Sequence, residues 1–409
     1  MRLKRVFLFL QGVISPFFPR LADQLAAEGH AVYRVNFCAG DALLWGERPA
    51  WNYRGGLAGL ADYLATKWAA HHFTDVVLFG DQRPVHRPAI ELARAHGARI
   101  LVFEEGYVRP NWITLERGGV NAFSSLPRDP RWYLEMDARL ERYGDGQPAP
   151  AKLATRALHD MRYHAANIAN PFLFPVYRTH RPHLAAVEYA GWARRFAGLP
   201  WRKRQDARLI QSVVEGGRPY FFLPLQLDGD TQITQHSPYR SMQEVIEKVL
   251  GSFALWAPEG TDIIIKNHPL DIGLVDYARL IAGLERALDV RGRVHFVESG
   301  HLPTLLEHTL GVITVNSTTG MSALAHHRPT MTLGKSIYGL PGLTHQGSLD
   351  SFWDSPEPPN PRLIAAFRNT VIHTTQVNGN LYTTQGITLA LRNCARLLEI
   401  PSPLESLLG

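Results

Sequence analysis

The chain predicts an α/β protein of two Rossmann-like domains with a cleft between them. Short apolar segments alternate with stretches of helical spacing through both halves, and 409 residues are enough to build two cores. Three of the apolar segments also end abruptly in residues that can do chemistry. These ends are Glu104 and Glu105, then Lys266, Asn267, His268 and Pro269, then Asn316, Ser317, Thr318, Thr319 and Gly320. Open α/β sheets bind ligands at the carboxyl ends of their strands. A cation, an amide and an imidazole at one end, with carboxylates at another, fit a negatively charged donor held between the domains.

In chain order, 6–10 reads as the first strand, and 11–16, opening on Gln11 and Gly12, as the loop after it. Over 17–28 the spacing is helical, with Phe17, Leu21 and Leu25 on one face. Gly29 and His30 end that helix and 31–36 is a strand, so the chain starts βαβ. A strand over 75–79, a polar loop over 80–84, a helix over 87–96 capped by Gly97, and a strand over 100–103 follow. Residues 130–207 differ, being rich in Arg, His, Tyr and Trp; Pro182 is expected to break them into several short helices.

The second half repeats the alternation. Strands are expected at 220–224, 262–265, 294–297, 312–315 and 330–333, with helices at 242–252, 276–284, 302–308 and 321–326. A polar loop over 340–360 precedes helices at 361–369 and 388–399. The expected domains are 1–205, carrying the basic helical insertion, and 206–380, with 381–409 crossing back onto the first.

The formal charge of +6 favours anionic ligands, nucleic acid or an anionic membrane surface without choosing among them. The basic residues form no recognised nucleic-acid module, so nucleic acid is not an expected partner. Cys38 and Cys394 are too few for a disulfide framework or a four-cysteine zinc site, and read as free thiols in a reducing compartment. The opening MRLKRVFLFLQG has a basic start, but its apolar run stops at Gln11 with no cleavage site in register, so a strand is expected rather than a signal peptide. No apolar run is long enough to span a bilayer. The expected location is cytoplasmic, with association to a membrane surface left open.

Neighbouring carboxylates on extended chain point to opposite sides, so one of Glu104 and Glu105 can serve as a base for a sugar hydroxyl while the other braces the loop; Glu105 is preferred. His268 precedes a proline, which keeps its backbone extended, and it can donate to a phosphate oxygen. Lys266 can do the same, or pair with Asp262 or Asp271. The hydroxyls of Ser317, Thr318 and Thr319 can cap a helix whose N-terminus also receives a phosphate. The glycines and lysine of a P-loop are missing, as is any GxGxxG run, which weighs against NAD or FAD. In PLQLDGD, Gln226 can bond a base or sugar. Asp228 and Asp230 can supply a nucleophile or stabilise charge, or merely flank an Asp-Gly turn. The two aspartates can instead bind a divalent ion, though two carboxylates alone are weak evidence for a metal. His301 stands in a further loop before a helix.

Several segments together resemble a known family: FLQG, RPVHRPAI, FEEGYVRPNWITLE, PLQLDGDTQI, KNHPLD, GHLPTLL, VNSTTGMSAL and PGLTHQGSLDSFW. They are similar to capsular polysaccharide biosynthesis and export proteins of Gram-negative bacteria, the KpsS/LipB type, which are β-Kdo transferases. The resemblance covers most of the chain and is weakest over 130–207. It implies a GT-B-like fold and transfer of Kdo (3-deoxy-D-manno-oct-2-ulosonic acid) from CMP-β-Kdo to a phosphatidylglycerol-type lipid acceptor. That reaction starts the β-Kdo linker of capsule at the inner membrane, beside other capsule glycosyltransferases and export machinery.

The Glu104–Glu105–Gly106, His268–Pro269 and Ser317–Thr318 elements also resemble those of bacterial sialyltransferases that use CMP-sialic acid. On that model His268, Ser317 and Thr318 hold the CMP phosphate and Glu105 serves the acceptor. Gln11, Gly12, Gln226, Lys266, Asn267, His301, Asn316 and Thr319 are counted with the donor-binding groups. Retention of configuration requires front-face attack or a double displacement, with Asp230 preferred to Asp228 as the carboxylate in the second case. No metal or other cofactor is expected, since the leaving group carries one phosphate. Arg178, Arg181, Arg194, Arg195, Arg202, Lys203 and Arg204 either meet anionic lipid heads or form a solvated face, and Trp192 and Trp201 either insert at that interface or complete a core. The competing readings are a transferase for another activated sugar and a non-catalytic capsule assembly or export protein.

Overall fold

The computed structural model describes residues 4–179, 185–228, 233 and 235–409. Pro182, Arg181 and Asp230 lie outside the described residues. The chain divides into two compact units: Met1–Leu126, Met136–His180 and Arg368–Gly409 form the first, and Pro127–Glu135 and Arg181–Phe367 the second.

In the first unit, β1 (Val6–Phe9), β2 (Ala31–Asn36), β3 (Trp51–Asn52), β4 (Asp75–Phe79) and β5 (Arg99–Glu105) run parallel in the spatial order β3-β2-β1-β4-β5. β6 (Trp112–Arg117) adds antiparallel to β5, and Gln376–Asn378 adds antiparallel to β6. Helices cover both faces, so the central strands read as continuous apolar runs. Phe7 and Phe9 join a core with Phe17, Phe18 and Leu21. Residues of the helix Thr384–Leu398, including Leu391 and Cys394, complete that core. Leu8 and Leu10 point the other way, toward Leu60, Leu64 and Trp68.

β5 runs two residues past its expected end and takes in both glutamates. Glu104 pairs with Thr114 and Glu105 with Ile113, so the polar stretch expected as a loop contains a strand. The turn between them needs Gly106, because a Cβ there would overlap the Trp112 carbonyl. Polar alternation in WITLER conceals a strand whose Thr114 and Glu116 are nonetheless buried.

The region over 130–207 contains helices Pro130–Asp137, Leu153–Asn167 and Asn170–Leu173, and then a single 31-residue helix, Ala185–Glu215, with Pro200 inside it. Several short helices were expected, and the boundary drawn at 205 falls within this one. A mid-helix proline costs about 3 kcal/mol. Opposing that cost, Ile210 and Val213 are buried in a cluster with Tyr220, Phe222 and Ile264, and Arg195 is tied to Glu298 and to the Asp271 carbonyl.

The second unit holds β7 (Tyr220–Pro224), β8 (Asp262–Lys266), β9 (Val294–Val297), β10 (Gly311–Thr314) and β11 (Thr330–Thr332), all parallel, in the order β11-β10-β7-β8-β9. Phe221, Leu223, Ile263 and Ile265 pack against Val245 and Val249 of the helix Met242–Trp256. Numbered within its own unit, each parallel set has the order 3-2-1-4-5. Strand order reverses between β1 and β4 and between β7 and β10, the switch points at which such sheets open a crevice. Two doubly wound units, with the helix Thr384–Leu398 returned to the first, make the fold GT-B-like.

Candidate functional site

At the switch point of the second sheet, Gln226 follows β7 and Asn316 follows β10. Gln226 Nε2 donates to Asn316 Oδ1 (3.0 Å), and the Asn316 N–H donates to Gln226 Oε1 (3.2 Å). This buried pair fixes the two strand ends to each other. Ser317 then caps the helix Thr318–Ala325, its Oγ accepting the Thr319 N–H at 3.1 Å. Tyr338 donates from its hydroxyl to the Ser317 carbonyl (2.5 Å) and lies so close to the helix that a Cβ at Gly320 would overlap it. The half-buried Thr318 and Thr319 therefore sit on a braced helix N-terminus, whose partial positive charge favours an anion.

After β8, Asn267 turns inward. Its Nδ2 donates to Glu298 Oε2 (3.1 Å) and Asp271 Oδ2 (3.3 Å), while its Oδ1 accepts the His268 N–H (2.8 Å). Asn267 thus shapes the loop that presents His268. The His268 Nδ1 accepts the Leu270 N–H (3.1 Å), which places the proton of the neutral ring on Nε2. Lys266 has its pKa lowered, first by burial and then by Arg195. It forms no ion pair with Asp262, which is taken by Arg218 and His295.

Sequence reasoning missed the groups that hold this loop in place. Arg195, 5% exposed, donates from Nε to Glu298 Oε2 (3.0 Å), holds Nη2 2.9 Å from the same oxygen as an ion pair, and donates from Nη1 to the carbonyls of Asp271 (2.6 Å) and Pro269 (3.3 Å). Trp192 Nε1 donates to the Leu270 carbonyl (3.2 Å) and Arg194 to that of Gly273 (2.6 Å). Asp206 accepts the Ser299 N–H and hydroxyl (2.9 and 3.0 Å), and burial raises its pKa. Arg195 and Trp192 therefore serve internal packing, against the lipid-facing alternative, whereas Lys203, Arg204 and Trp201 are exposed. The available signal was spacing: Arg195 and Asp206 stand eleven residues apart, three helical turns, on one face.

Two other expected donor groups have local partners. His301 is exposed, with Nδ1 3.0 Å from Thr304 Oγ1 at the start of Leu302–His308. Asp228 Oδ1 accepts the Met242 N–H (2.6 Å), so one of its oxygens holds a helix start.

In the first unit, Glu104 and Glu105 project to opposite sides of β5, as strand alternation requires. Glu104 Oε1 accepts the Glu105 N–H (3.0 Å), and its other oxygen lies beside Gly80 at the end of β4. Glu105 Oε1 accepts from the Tyr382 hydroxyl (2.5 Å) and lies 3.5 Å from Arg156 Nη1, while Oε2 accepts from Arg109 (3.1 Å). Burial pushes its pKa up, but Arg109, Arg156 and Tyr382 outweigh that and hold the carboxyl below its usual range.

Gln11 is 2% exposed and fully used: Nε2 lies 3.3 Å from Asp41 Oδ2 and from the hydroxyls of Tyr163 and Tyr177, and Oε1 accepts from Arg83 (3.2 Å). Arg83 also reaches the Gly12 carbonyl (3.2 Å), and a Cβ at Gly12 would clash with Phe18. Gln11 and Gly12 thus build the interior of the first switch point and lie in a different unit from the other donor-side candidates.

Comparison with known proteins decides the family. Residues 74–382 match the model described as capsule polysaccharide biosynthesis protein. The chain is 38% identical over 381 residues to the capsule polysaccharide modification protein LipB of Neisseria meningitidis serogroup B, covering 92% of this chain and 91% of the relative. The chain belongs to the capsule polysaccharide biosynthesis family. It is also 35% identical over 382 residues to the capsule polysaccharide export protein KpsS of Escherichia coli, covering 92% of this chain and 96% of that one. Among solved structures it is similar to the β Kdo 2,7 transferase KpsC of Thermosulfurimonas dismutans at 12% identity, over 96% of this chain and 100% of that one, with a TM-score of 0.45. No residue assignment rests on that distant likeness.

For this family member, the ends of β7, β8 and β10 gather an imidazole, an ammonium, an amide pair and a hydroxyl-rich helix N-terminus within one unit. An imidazole, an ammonium and helix N–H groups are each able to form charge-assisted hydrogen bonds to a phosphate ester. Among the described residues, no group of three or more His, Cys, Asp or Glu is placed to hold a metal ion, and no helix is long and apolar enough to cross a membrane.

Proposed function

We propose that this protein is a retaining glycosyltransferase that moves Kdo from CMP-β-Kdo to a phosphatidylglycerol-type lipid acceptor, starting the β-Kdo linker of a capsular polysaccharide. The reading assigns the donor to the second unit and the acceptor to the first. The observation that carries it is the placing of Lys266, the Nε2 proton of His268 and the N-terminus of Thr318–Ala325 at the ends of β8 and β10, the two strands that flank β7. CMP departs as its phosphate takes up the electrons of the broken glycosidic bond. Fixed donors aimed at that phosphate stabilise the developing charge without reorganising. The Gln226–Asn316 pair supports the base or sugar side of the donor.

On the acceptor side, Glu105 is kept ionised by Arg109 and Arg156, ready to accept the hydrogen of an acceptor hydroxyl as the new bond forms. With its pKa lowered, it works by orienting the hydroxyl more than by basicity. If retention proceeds through a covalent glycosyl-enzyme, Asp230 is the assigned nucleophile, since Asp228 already holds the Met242 N–H. The reaction belongs at the cytoplasmic face of the inner membrane, among other capsule glycosyltransferases and export machinery.

CMP release from CMP-Kdo, with and without short-chain phosphatidylglycerol, tests this directly. Acceptor-stimulated release is expected, and it should be lost in His268→Ala and Glu105→Ala; its loss in Asp230→Ala marks the covalent route and its survival there marks front-face attack. Folded protein that releases no CMP overturns the reading and leaves a non-catalytic assembly or export role. Turnover only with another nucleotide sugar overturns the donor assignment.

A further inference from the structure

We infer that Leu153–Val176 of the first unit is a docking face for an anionic phospholipid bilayer. The inference deepens the lipid-acceptor reading above and rests on it. In the helix Leu153–Asn167 and the residue after it, Leu158, Met161, Ala165 and Ile168 recur at intervals of three and four, which makes a single stripe, and all four are exposed. The short helix Asn170–Leu173 continues the apolar surface with Phe172, Leu173 and Val176. Ile168 is 78% exposed and Phe172 86%.

This outward face is held rigidly. On the opposite side of the helix, Tyr163 donates to Asp41 (3.2 Å) and packs against Gly40, and Asn167 Oδ1 accepts the Gly40 N–H (2.8 Å). Asn170 Oδ1 accepts the Ala39 N–H (2.8 Å). The backbone that carries the stripe is thus anchored to the fold at three points.

Charge complementarity selects the occupant. Lys152, Arg162, Arg178 and Arg54 are exposed and belong to this segment or lie beside it, Val176 being in contact range of Gly56. The one acid on the helix, Asp160, is largely buried, with Oδ1 3.6 Å from His164 Nε2. Large apolar side chains rimmed by Lys and Arg lie flat in the headgroup region of anionic bilayers. The same helix carries Arg156 to Glu105 from its inner side, so docking here brings the acceptor-side carboxylate to the surface where a lipid acceptor resides.

The test is flotation with vesicles of phosphatidylglycerol and phosphatidylethanolamine, against phosphatidylcholine alone. Ile168→Asp/Phe172→Asp should weaken binding to the anionic vesicles at least about 10-fold. Lys152→Glu/Arg162→Glu should weaken it too and flatten its salt dependence. Leu255→Asp/Trp256→Asp, at an exposed apolar pair of the second unit, should leave it unchanged. Phe172→Trp should show blue-shifted emission quenched by brominated lipid. Wild-type binding by the Ile168/Phe172 variant overturns the inference. So does a wild-type dimer in solution that the same variant turns into monomer, which would make the face a contact between copies. CMP binding measured without lipid reports on the transferase reading separately, so a protein that binds CMP yet ignores these vesicles refutes the docking face alone.

Discussion

Arg195→Leu is the perturbation that best tests how the His268 loop is held. The substitution keeps an apolar stem on the long helix but removes a guanidinium that makes four contacts: two to Glu298 Oε2, at 2.9 and 3.0 Å, and one each to the carbonyls of Asp271 and Pro269. Removing one partner of a buried ion pair costs about 3–5 kcal/mol, because the other charge is left behind. Here Glu298 is 21% exposed and keeps its bond from Asn267, so water recovers part of the loss and about 2–3 kcal/mol is expected. Urea unfolding followed by tryptophan fluorescence measures this, Trp353 in the core of the second unit being one of the nine tryptophans that report. The loop over 268–271 also loses its anchor, so CMP affinity should fall about 10-fold, equivalent to about 1.4 kcal/mol. Arg195→Lys should fall between, since a point charge cannot reach Glu298 and both carbonyls at once. An unfolding midpoint and a CMP affinity both unchanged in Arg195→Leu would refute the buttress.

Three further outcomes are expected. The folded pKa of Glu105 is depressed, so its contribution to stability is present above the ordinary glutamate pKa of about 4.3 and is lost as pH falls through the lower folded value. Glu105→Gln should remove that part of the acid dependence in a midpoint-against-pH series, and Tyr382→Phe should shift the loss to higher pH. Gly320→Ala forces a Cβ onto Tyr338 and should weaken CMP binding by displacing the helix N-terminus, whereas Gly283→Ala meets open space inside a helix and should stabilise by about 0.4–1 kcal/mol in the same denaturation assay. Burial pushes both Cys38 and Cys394 thiols well up, so a thiol reagent should find neither in the native protein and both after denaturation.

The alternation of β1, β2, β4 and β7 to β11 with their helices was legible in the sequence because each strand is built on a short run of mainly apolar or β-branched residues whose length and end are local properties. His268 before Pro269, and Ser317 before a helix, were legible for the same reason: proline and a capping hydroxyl act within a few residues. β6 was not legible, since Thr114 and Glu116 look solvent-bound until β5 and Gln376–Asn378 enclose them. Gln11 looked like a ligand group until Asp41, Tyr163, Tyr177 and Arg83, which come from widely separated parts of the chain, used up its amide.

The sequence by itself determined the two-unit α/β architecture, the family and the residue types at the strand ends. Only the tertiary structure decided which of those residues face outward and which serve as braces. Arg195 and Asp206 show why: an Arg and an Asp on a helix read as solvated until the sheet edge they reach is known. A side chain's partners are set by contacts between distant segments, and local propensity carries no record of them.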